Sequence, residues 1–332
     1  MPTVSGLGTT WNLPNYAGEL FAACPTKTPF LSLIGDLSGG LKTQNDEFPT
    51  GVLYDFPEPS QPGISESASS TAPAATHIVR RQLSNVTQIF QETVELTYAK
   101  MANKDKLSGI NTAGAKNGAG NELDFQIARK LEKIARDIEH TFLNGVYQKA
   151  TSATVPNKTR GMLSLCGGEG GTLVNANGAI LSQALLDKLW RMMADSGALF
   201  DNTYLFCNSY QKQAISGLYA NKAPQSRTEA GVNITDILTD FGKVGVVYDP
   251  FMPAGSILVA DIKYVAPVFQ EVPGKGVLFA EDLSKSGAAE RKQIYGQLGL
   301  AHGPAHLHGA ITGLATGTAE ASEESGEESG EE

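Results

Sequence analysis

The sequence has few cysteines and none in the spacing of a metal or redox motif. Only Cys24, Cys166 and Cys207 occur in 332 residues, far apart and without a CxxC pair. An odd, sparse set of this kind argues against a disulfide framework and is typical of a reducing compartment. We therefore expect a cytosolic protein whose cysteines are buried free thiols.

The chain also lacks segments that would take it into or across a membrane. No basic residue precedes Lys27 and no apolar run lies near it, so we expect no signal peptide. A membrane helix needs about eighteen or more apolar residues, and the most apolar stretch, 257–268, is interrupted by Asp261 and Lys263. The expectation is a soluble protein with no membrane partner.

Motifs of the common enzyme classes are missing as well. There is no phosphate-binding loop ending in Gly-Lys-Ser or Gly-Lys-Thr, no Gly-x-Ser-x-Gly elbow, no HExxH and no EF-hand loop. The glycine-rich segment 114–120 follows no apolar strand, so a hinge is favoured over a nucleotide site. We predict that the protein is not an enzyme and has no catalytic residue, no cofactor and no metal ligand.

Three closely spaced histidines are the best remaining candidate for chemistry. His302, His306 and His308 stand in HGPAHLH, and two or three imidazoles can hold zinc. On a strand, His306 and His308 would share one face. No cysteine or carboxylate is close in sequence, and Pro304 bends the segment. Surface or interface histidines are the favoured interpretation, and a metal-dependent hydrolase is the less favoured one.

Charge is concentrated at one end of the chain. The formal net charge is −9, but residues 318–332 hold seven glutamates and no lysine or arginine, so the remainder is close to neutral. Proteins that grip nucleic acid through bulk charge are usually basic, and this one is not. The acidic tail repeats EESG and is predicted to be solvated and disordered.

What the chain does contain is one long amphipathic helix, predicted over 121–144. Its apolar residues recur at three- and four-residue steps with charged residues between them, and so form one stripe. The stripe consists of Leu123, Ile127, Leu131, Ile134, Ala135, Ile138 and Phe142. Asn121 is placed to cap the first turn, and Gly145 to end the helix in a left-handed conformation. Such a helix is roughly 35 Å long.

Two regions before this helix cannot form a core of their own. Residues 1–45 hold apolar residues separated by prolines. Next, predicted strands at 47–55 and 77–83 flank about twenty residues rich in Pro, Ser and Ala, which form either a hairpin tip or a disordered segment. The flanking strands favour the hairpin. Both regions expose apolar residues and strand edges that only other chains could cover, which indicates an assembly subunit.

The rest of the sequence predicts further helices and strands. Residues 86–90 have a strand pattern, and the mixed pattern of 92–104 allows a helix. After the long helix the pattern is α/β. The predicted elements are helices over 181–194 and 209–219, and strands over 203–207, 244–248, 256–260, 263–270, 276–280, 290–300 and 310–314.

The order of these regions resembles the major capsid protein of tailed bacteriophages over nearly the full length. The segments that carry the resemblance are NYAGELFAACPTKTPFLSLIG (15–35), ARDIEHTFLNG (135–145), YDPFMPAGSILVADIKYVAPVF (248–269) and ERKQIYGQLGLAHG (290–303). The resemblance implies the α+β fold of tailed-phage capsids. The implied regions are an N-terminal arm (1–45), an extended hairpin loop (46–85), a peripheral domain (86–179) with a spine helix (121–144), an axial α/β domain (180–285), C-terminal strands returning to the peripheral domain (286–317) and the acidic disordered tail (318–332).

The resemblance also implies a function and partners. The protein is expected to assemble with itself into hexamers and pentamers that form an icosahedral phage head around double-stranded DNA, which would contact the inner face weakly and non-specifically. A separate scaffolding protein, a portal and decoration proteins are the other implied partners. The implied location is the virion, with assembly in the host cytoplasm. The alternative is an encapsulin-type bacterial nanocompartment shell.

Overall fold

A computed structural model describes residues 25–37, 39–54, 58–98, 122–168, 170–219, 225–285 and 287–316. The expectations for residues 1–24, the glycine-rich segment, Asn121 and the acidic tail lie outside these ranges. The helices are α1 Pro29–Leu33, α2 Glu66–Ser69, α3 Glu122–Asn144, α4 Met162–Cys166, α5 Gln183–Asp195 and α6 Ser209–Leu218. The strands are β1 Leu41–Thr43, β2 Glu47–Tyr54, β3 Arg80–Val86, β4 Gln88–Thr97, β5 Thr172–Asn175, β6 Thr203–Cys207, β7 Gln225–Glu229, β8 Val232–Thr239, β9 Gly242–Tyr248, β10 Ile257–Asp261, β11 Ala266–Gln270, β12 Leu278–Asp282, β13 Ala289–Ala301 and β14 Gly309–Thr312.

The long helix α3 lies against a five-stranded sheet. In that sheet β1, β11, β13 and β12 follow one another, and β4 pairs with β13 along ten residues in antiparallel register. The apolar stripe makes the contact: Leu123 packs with Val94 and Leu96 of β4. Beside this contact, the Glu92 carboxylate accepts hydrogen bonds from both Lys130 and Lys133 of the helix. The predicted helix is therefore present, with its apolar face on the sheet.

The helix allowed by the pattern of 92–104 is wrong over its described part, because β4 runs to Thr97. Phe90, Val94 and Leu96 are buried while the residues between them are exposed or half-buried. That alternation has the period of a strand with one buried face. Pairing with β13 then provides the hydrogen bonds that a helix would have made internally.

A seven-stranded sheet forms the second layer of the core, in the order β5-β14-β10-β6-β9-β8-β7. Every residue of β6 and β10 is buried, as expected for central strands covered on both faces. The Ser182 side chain caps α5 and the Asn208 side chain caps α6, each by accepting a backbone N–H of the first turn. The α/β pattern predicted for this part of the sequence is confirmed, except that Lys263 and Tyr264, predicted to begin a strand, lie in a 3-10 turn.

Helix α3 ends differently from the expectation. Gly145 does not have a positive φ angle; its N–H continues the helical pattern by donating to the carbonyl of Thr141 at 2.7 Å. A Cβ at this position would lie 2.5 Å from the Thr141 oxygen and 2.6 Å from the Thr159 oxygen. The glycine is therefore required by the close approach of the 159–161 backbone rather than by a left-handed turn.

Candidate assembly surface

Strands β2 and β3 form a separate antiparallel hairpin whose base is fixed to the body. The register runs from Glu47 opposite Val86 to Tyr54 opposite Arg80, with a bulge at Thr50. At the base, the Phe48 ring is buried against the five-stranded sheet. The ring fits there because residue 299 is a glycine. A Cβ at that position would lie only 2.6 Å from the Phe48 ring.

Asn85 ties the other strand of the hairpin to two further segments. It is completely buried, and its side-chain amide donates to the carbonyls of Leu300 at 2.8 Å and Arg160 at 3.2 Å. Its side-chain oxygen accepts the N–H of Arg160 at 2.8 Å. One buried side chain thus satisfies several backbone groups that would otherwise be costly to bury.

Beyond this base the hairpin makes almost no contact with the rest of the described chain. Every residue from 58 to 82 is exposed, including the short helix α2. Three large apolar residues are among them: Ile64 is 69% exposed, Ile78 49% and Val79 77%. The hairpin predicted from the flanking strands is present, and its tip has no core to rest on within the described chain.

The last part of the arm contradicts the expectation that its apolar residues can be covered only by another chain. Phe30 and Leu31 of α1 are fully buried, and the Phe30 ring meets the Phe206 ring edge-on at 5.1 Å. Helix α1 of the arm instead packs on the body of its own chain. Burying two large side chains there stabilises the contact by roughly 2 kcal/mol each.

A pair of buried carboxyls holds α1 in place. Glu139 of α3 accepts the N–H of Phe30 at 2.8 Å on one oxygen and the N–H of Leu31 at 2.7 Å on the other. Asp249, at the end of β9, is the neighbouring acid. Burial raises the pKa of Glu139 well above its ordinary value, and the Asp249 carboxyl adds to that rise. Burial also raises the pKa of Asp249.

The three histidines are not arranged as a metal site. His302 and His308 are fully buried, so their interpretation as surface residues is wrong, and His306 lies in a 3-10 turn rather than on a strand face. His308 accepts the N–H of Asp261 on Nδ1 and donates from Nε2 to the carbonyl of His302. Both of its ring nitrogens are therefore used by backbone groups.

His302 connects the end of β13 to the bulge of the hairpin. Its Nδ1 donates to the Gly303 carbonyl at 2.8 Å, which leaves Nε2 to accept from the Thr50 hydroxyl at 3.3 Å. Burial lowers the pKa of His302 and of His308 to about 4. Within the described residues no three His, Cys, Asp or Glu side chains are grouped to hold a metal; that the chain binds none stays a prediction.

Comparison with known proteins identifies the family. The family model for the SU10 major capsid protein matches residues 3–315. The chain belongs to this family. It is a major capsid protein, so its role is to form the shell of a virion. No curated protein matches the sequence.

Solved structures show that this capsid protein has the fold of phage shells. The cyanophage A-1(L) capsid protein matches with a TM-score of 0.63 and 12% identity, over 94% of this chain and 99% of that one. The capsid of a native GTA particle matches at 0.56 and 13%, over 94% and 100%. The SrpI encapsulin of Synechococcus elongatus PCC 7942 matches at 0.58 and 11%, over 95% and 98%.

A second exposed apolar area of this capsid protein lies at the far end of the seven-stranded sheet. Leu238 and Phe241 flank the turn between β8 and β9 and are 73% and 45% exposed, and Leu199 is nearby in the fold at the Phe200 segment. Leu238 and Phe241 border a cavity of about 400 Å³ that Trp190 also lines. Sequence reasoning did not single out this turn, although an apolar residue on each side of Thr239–Asp240 is a visible signal.

The remaining expectations concern cysteines and membranes. Cys166 and Cys207 are buried free thiols, as predicted, and burial raises the pKa of each to about 12; Cys24 lies outside the described residues. No described helix is long and apolar enough to cross a membrane. What sequence reasoning missed is the Glu139–Asp249 pair, since nothing in a helix rich in charges marks Glu139 as buried.

Proposed function

We propose that this capsid protein assembles with itself into hexamers and pentamers, and that these close into an icosahedral head around double-stranded DNA. The observation that carries the proposal is the hairpin tip, where every residue from 58 to 82 is exposed. A segment of this length with large apolar residues and free strand edges is costly to leave in water. A neighbouring copy is the surface that would cover it.

We call the hairpin a strap because its base is fixed to its own subunit while its tip is exposed and available to a neighbouring subunit. Its base is held rigidly by Phe48 and Asn85, while Ile64, Ile78 and Val79 near the tip are free to pack on another subunit. Interfaces of obligate assemblies bury on the order of 2,000 Å² or more. A strap, an arm and the exposed β8–β9 turn together provide three separate contact regions for such an area.

The regions of the chain take the roles that the family resemblance suggests. Residues 46–85 are the extended loop, helix α3 is the spine of a peripheral domain spanning 86–179, and residues 180–285 form the axial domain. Of these ranges, β11 and β12 pair into the five-stranded sheet beside α3, and β5 pairs into the seven-stranded sheet. Residues 286–317 return to the peripheral domain. The exposed turn at Leu238 and Phe241 is then the part of the axial domain that meets its neighbours around the capsomer centre.

The other partners follow from the charge and from the family. Because the body is close to neutral, DNA contacts the inner face weakly and non-specifically. Scaffolding, portal and decoration functions belong to separate proteins, and the shell assembles in the host cytoplasm. The work of the chain is association, not turnover of a substrate.

Charged substitutions at the tip test the strap. Ile64→Asp with Val79→Asp should abolish particles in electron micrographs and leave subunits that sediment slowly, because two carboxylates would enter an apolar interface. The midpoint of thermal unfolding of the isolated subunit should stay the same, since both side chains are exposed. Gln61→Asp adds a charge to the same tip without removing apolar surface and should still give particles. Normal particles from the double variant would refute the strap.

A nanocompartment shell is the second candidate, favoured by the encapsulin match over 95% of the chain. The two candidates differ in what the shell encloses. Extraction of nucleic acid and protein from purified particles decides between them: genome-length DNA supports the phage head, and a stoichiometric second protein without DNA supports the compartment.

A further inference from the structure

The hydrogen bonds around Glu139 show which carboxyl of the buried pair is the anion. Both Glu139 oxygens already accept a backbone N–H, from Phe30 and from Leu31. A carboxylate accepts such bonds with both oxygens, whereas a protonated carboxyl uses one oxygen as a donor. The geometry therefore favours an ionised Glu139 at the start of helix α1.

The two N–H bonds to Glu139 assign the proton of the pair to Asp249, although Glu139 has the more strongly raised pKa of the two acids. The Asp249 Oδ1 accepts the N–H of Phe251 at 2.8 Å, and its Oδ2 is buried without a hydrogen-bond partner among the described residues. Glu139 is the acid beside it, and the N–H of Phe30 acts on both acids. Asp249 is fully buried, like Glu139. Two adjacent carboxylates in such a place cannot both ionise at modest cost. An Oδ2–H that donates to Glu139 satisfies both acids with a single proton.

We propose that this one-proton pair is the anchor that fixes helix α1 of the arm to the body, and that removing the proton at high pH releases this helix. Helix α1 is joined to α3 by the two N–H bonds, and α3 is joined to the end of β9 by the shared proton. Tyr248 and Pro250, on either side of Asp249, line a groove of about 450 Å³ together with Thr28, Pro29 and Ser32 of the arm. The anchor thus lies directly behind the start of helix α1.

The other groups around the pair do not replace the proton. Helix α1 has no titratable side chain. On α3, Arg136 lies over the Phe251 ring at 5.6 Å. On β6, Cys207 accepts the N–H of Asp249 with its carbonyl and keeps its thiol protonated, and Lys212 of α6 donates to Thr235 and the Val246 carbonyl. Loss of the shared proton would therefore leave two buried negative charges side by side.

The sign of the pH effect follows from the raised pKa values of both acids. In the unfolded chain both acids are ionised above about pH 4.5, whereas the folded pair keeps one proton. The anchor is therefore strongest below the unfolded pKa, weakens by about tenfold per pH unit as the pH rises from there towards the raised folded value, and is lost above that value. Acid strengthens this contact, and alkali opens it.

Hydrogen exchange of the unassembled full-length chain tests the anchor without relying on particle formation. The peptide covering 28–34 is followed by mass spectrometry from pH 6 to pH 10, with intrinsic rates removed. In the wild type, the protection of this peptide against exchange should fall at least tenfold over the alkaline part of this pH range. In Asp249→Asn it should stay within twofold of its pH 7 value, because the amide donates to Glu139 at every pH and still accepts the N–H of Phe251.

Glu139→Gln supplies the opposite result, because an amide has only one acceptor for the two N–H groups. Its protection of 28–34 should already be reduced severalfold at pH 7. Glu132→Gln, on the solvent side of the same helix, should reproduce the wild-type profile. Equal behaviour of Asp249→Asn and Glu139→Gln, or an unchanged alkaline limb in Asp249→Asn, would overturn the proposal.

Infrared spectroscopy of the wild type provides a measurement that needs no variant to fold. A protonated-carboxyl stretching band should be present at pH 7 and disappear over the same pH range in which the 28–34 peptide loses protection. Its absence at pH 7 would overturn the anchor. The proposal concerns how the proposed shell positions its arms, but both readouts come from single subunits, so failure of the anchor is distinguishable from failure of the shell.

Discussion

Strand β10 and the hairpin tip are opposite cases within one chain. All five residues of Ile257–Asp261 are buried, whereas all residues from 58 to 82 are exposed. The central strands β6 and β10 of the seven-stranded sheet are buried entirely within the subunit, because neighbouring strands and helices cover both of their faces. The tip has no such cover. The difference indicates that the subunit's stability and its ability to assemble depend on different residues and can be changed separately.

The largest change in the free energy of unfolding should come from a cavity made in strand β10, and it tests this contrast directly. Leu258→Ala should lower the free energy of unfolding by about 3–4 kcal/mol, since Leu258 is fully buried and the truncation leaves a cavity in the core. Chemical denaturation of the isolated subunit measures it. Val52→Ala, on the exposed face of the hairpin, should change the same quantity by less than about 0.5 kcal/mol. Equal losses would remove the distinction between the two regions.

The next effect, counted per residue, is acid destabilisation through His302, which joins the hairpin bulge to the body, and His308, which bonds the carbonyl of His302. His302 and His308 have pKa values of about 4 when folded, against 6.5 in the reference state. The unfolded chain therefore takes up protons first, so the stability present above pH 6.5 is lost as the pH falls to 4. Each histidine can contribute about 3 kcal/mol to this loss.

Denaturation midpoints at pH 7, 6, 5 and 4 measure the histidine effect. His308→Gln should flatten the acid limb of the profile, even if it lowers stability at pH 7. His140→Gln, at an exposed position of α3, should leave the slope as it is. A wild-type stability that does not change between pH 7 and pH 4 would contradict the buried neutral state of the two rings.

The elements that could be predicted from the sequence are those whose residue spacing repeats along the chain or whose composition is distinctive locally. The stripe from Leu123 to Phe142 predicts α3 because a helix places those residues on one face wherever the helix lies. Pro, Ser and Ala between two strand patterns likewise predict the hairpin, whose tip is exposed. In 92–104, however, a strand alternation at Phe90, Val94 and Leu96 was mixed with a helical spacing. Only pairing with β13, about 200 residues away, decides between them.

The buried polar residues could not be predicted, because their burial comes from distant segments. Glu139 lies between Ile138 and His140 on a charged helix, yet it is buried by backbone groups 108 and 109 positions earlier. His302 and His308 look equally like surface residues until Asp261 and Thr50 are placed beside them. A single sequence contains no periodic signal for contacts of this kind.

A smaller effect is expected at the base of the hairpin. Asn85→Ala should lower the free energy of unfolding by about 2 kcal/mol, because it leaves the Leu300 carbonyl and the backbone groups of Arg160 buried without their partner. Ser84→Ala, the neighbouring residue with an exposed bond to Glu47, should cost less than about 0.5 kcal/mol. Denaturant titration of the three proteins measures both. If Asn85→Ala and Ser84→Ala lowered the free energy of unfolding equally, Asn85 would not fix the base of the hairpin to the body.

The smallest effect should come from the acidic tail. Removal of 318–332 takes away seven glutamates and no apolar residue larger than alanine, so neither the unfolding midpoint nor the formation of particles should change. The tail's charges repel one another when copies meet, and this repulsion is screened by salt. Light scattering over a salt series should therefore show the truncated chain assembling at slightly lower ionic strength. A full-length chain with all seven glutamates changed to glutamine should behave like the truncated one, because charge rather than length is responsible. Loss of particles on truncation would instead mean that the tail, like the hairpin tip, needs a partner copy, and the contrast between self-sufficient and dependent regions would have to be redrawn.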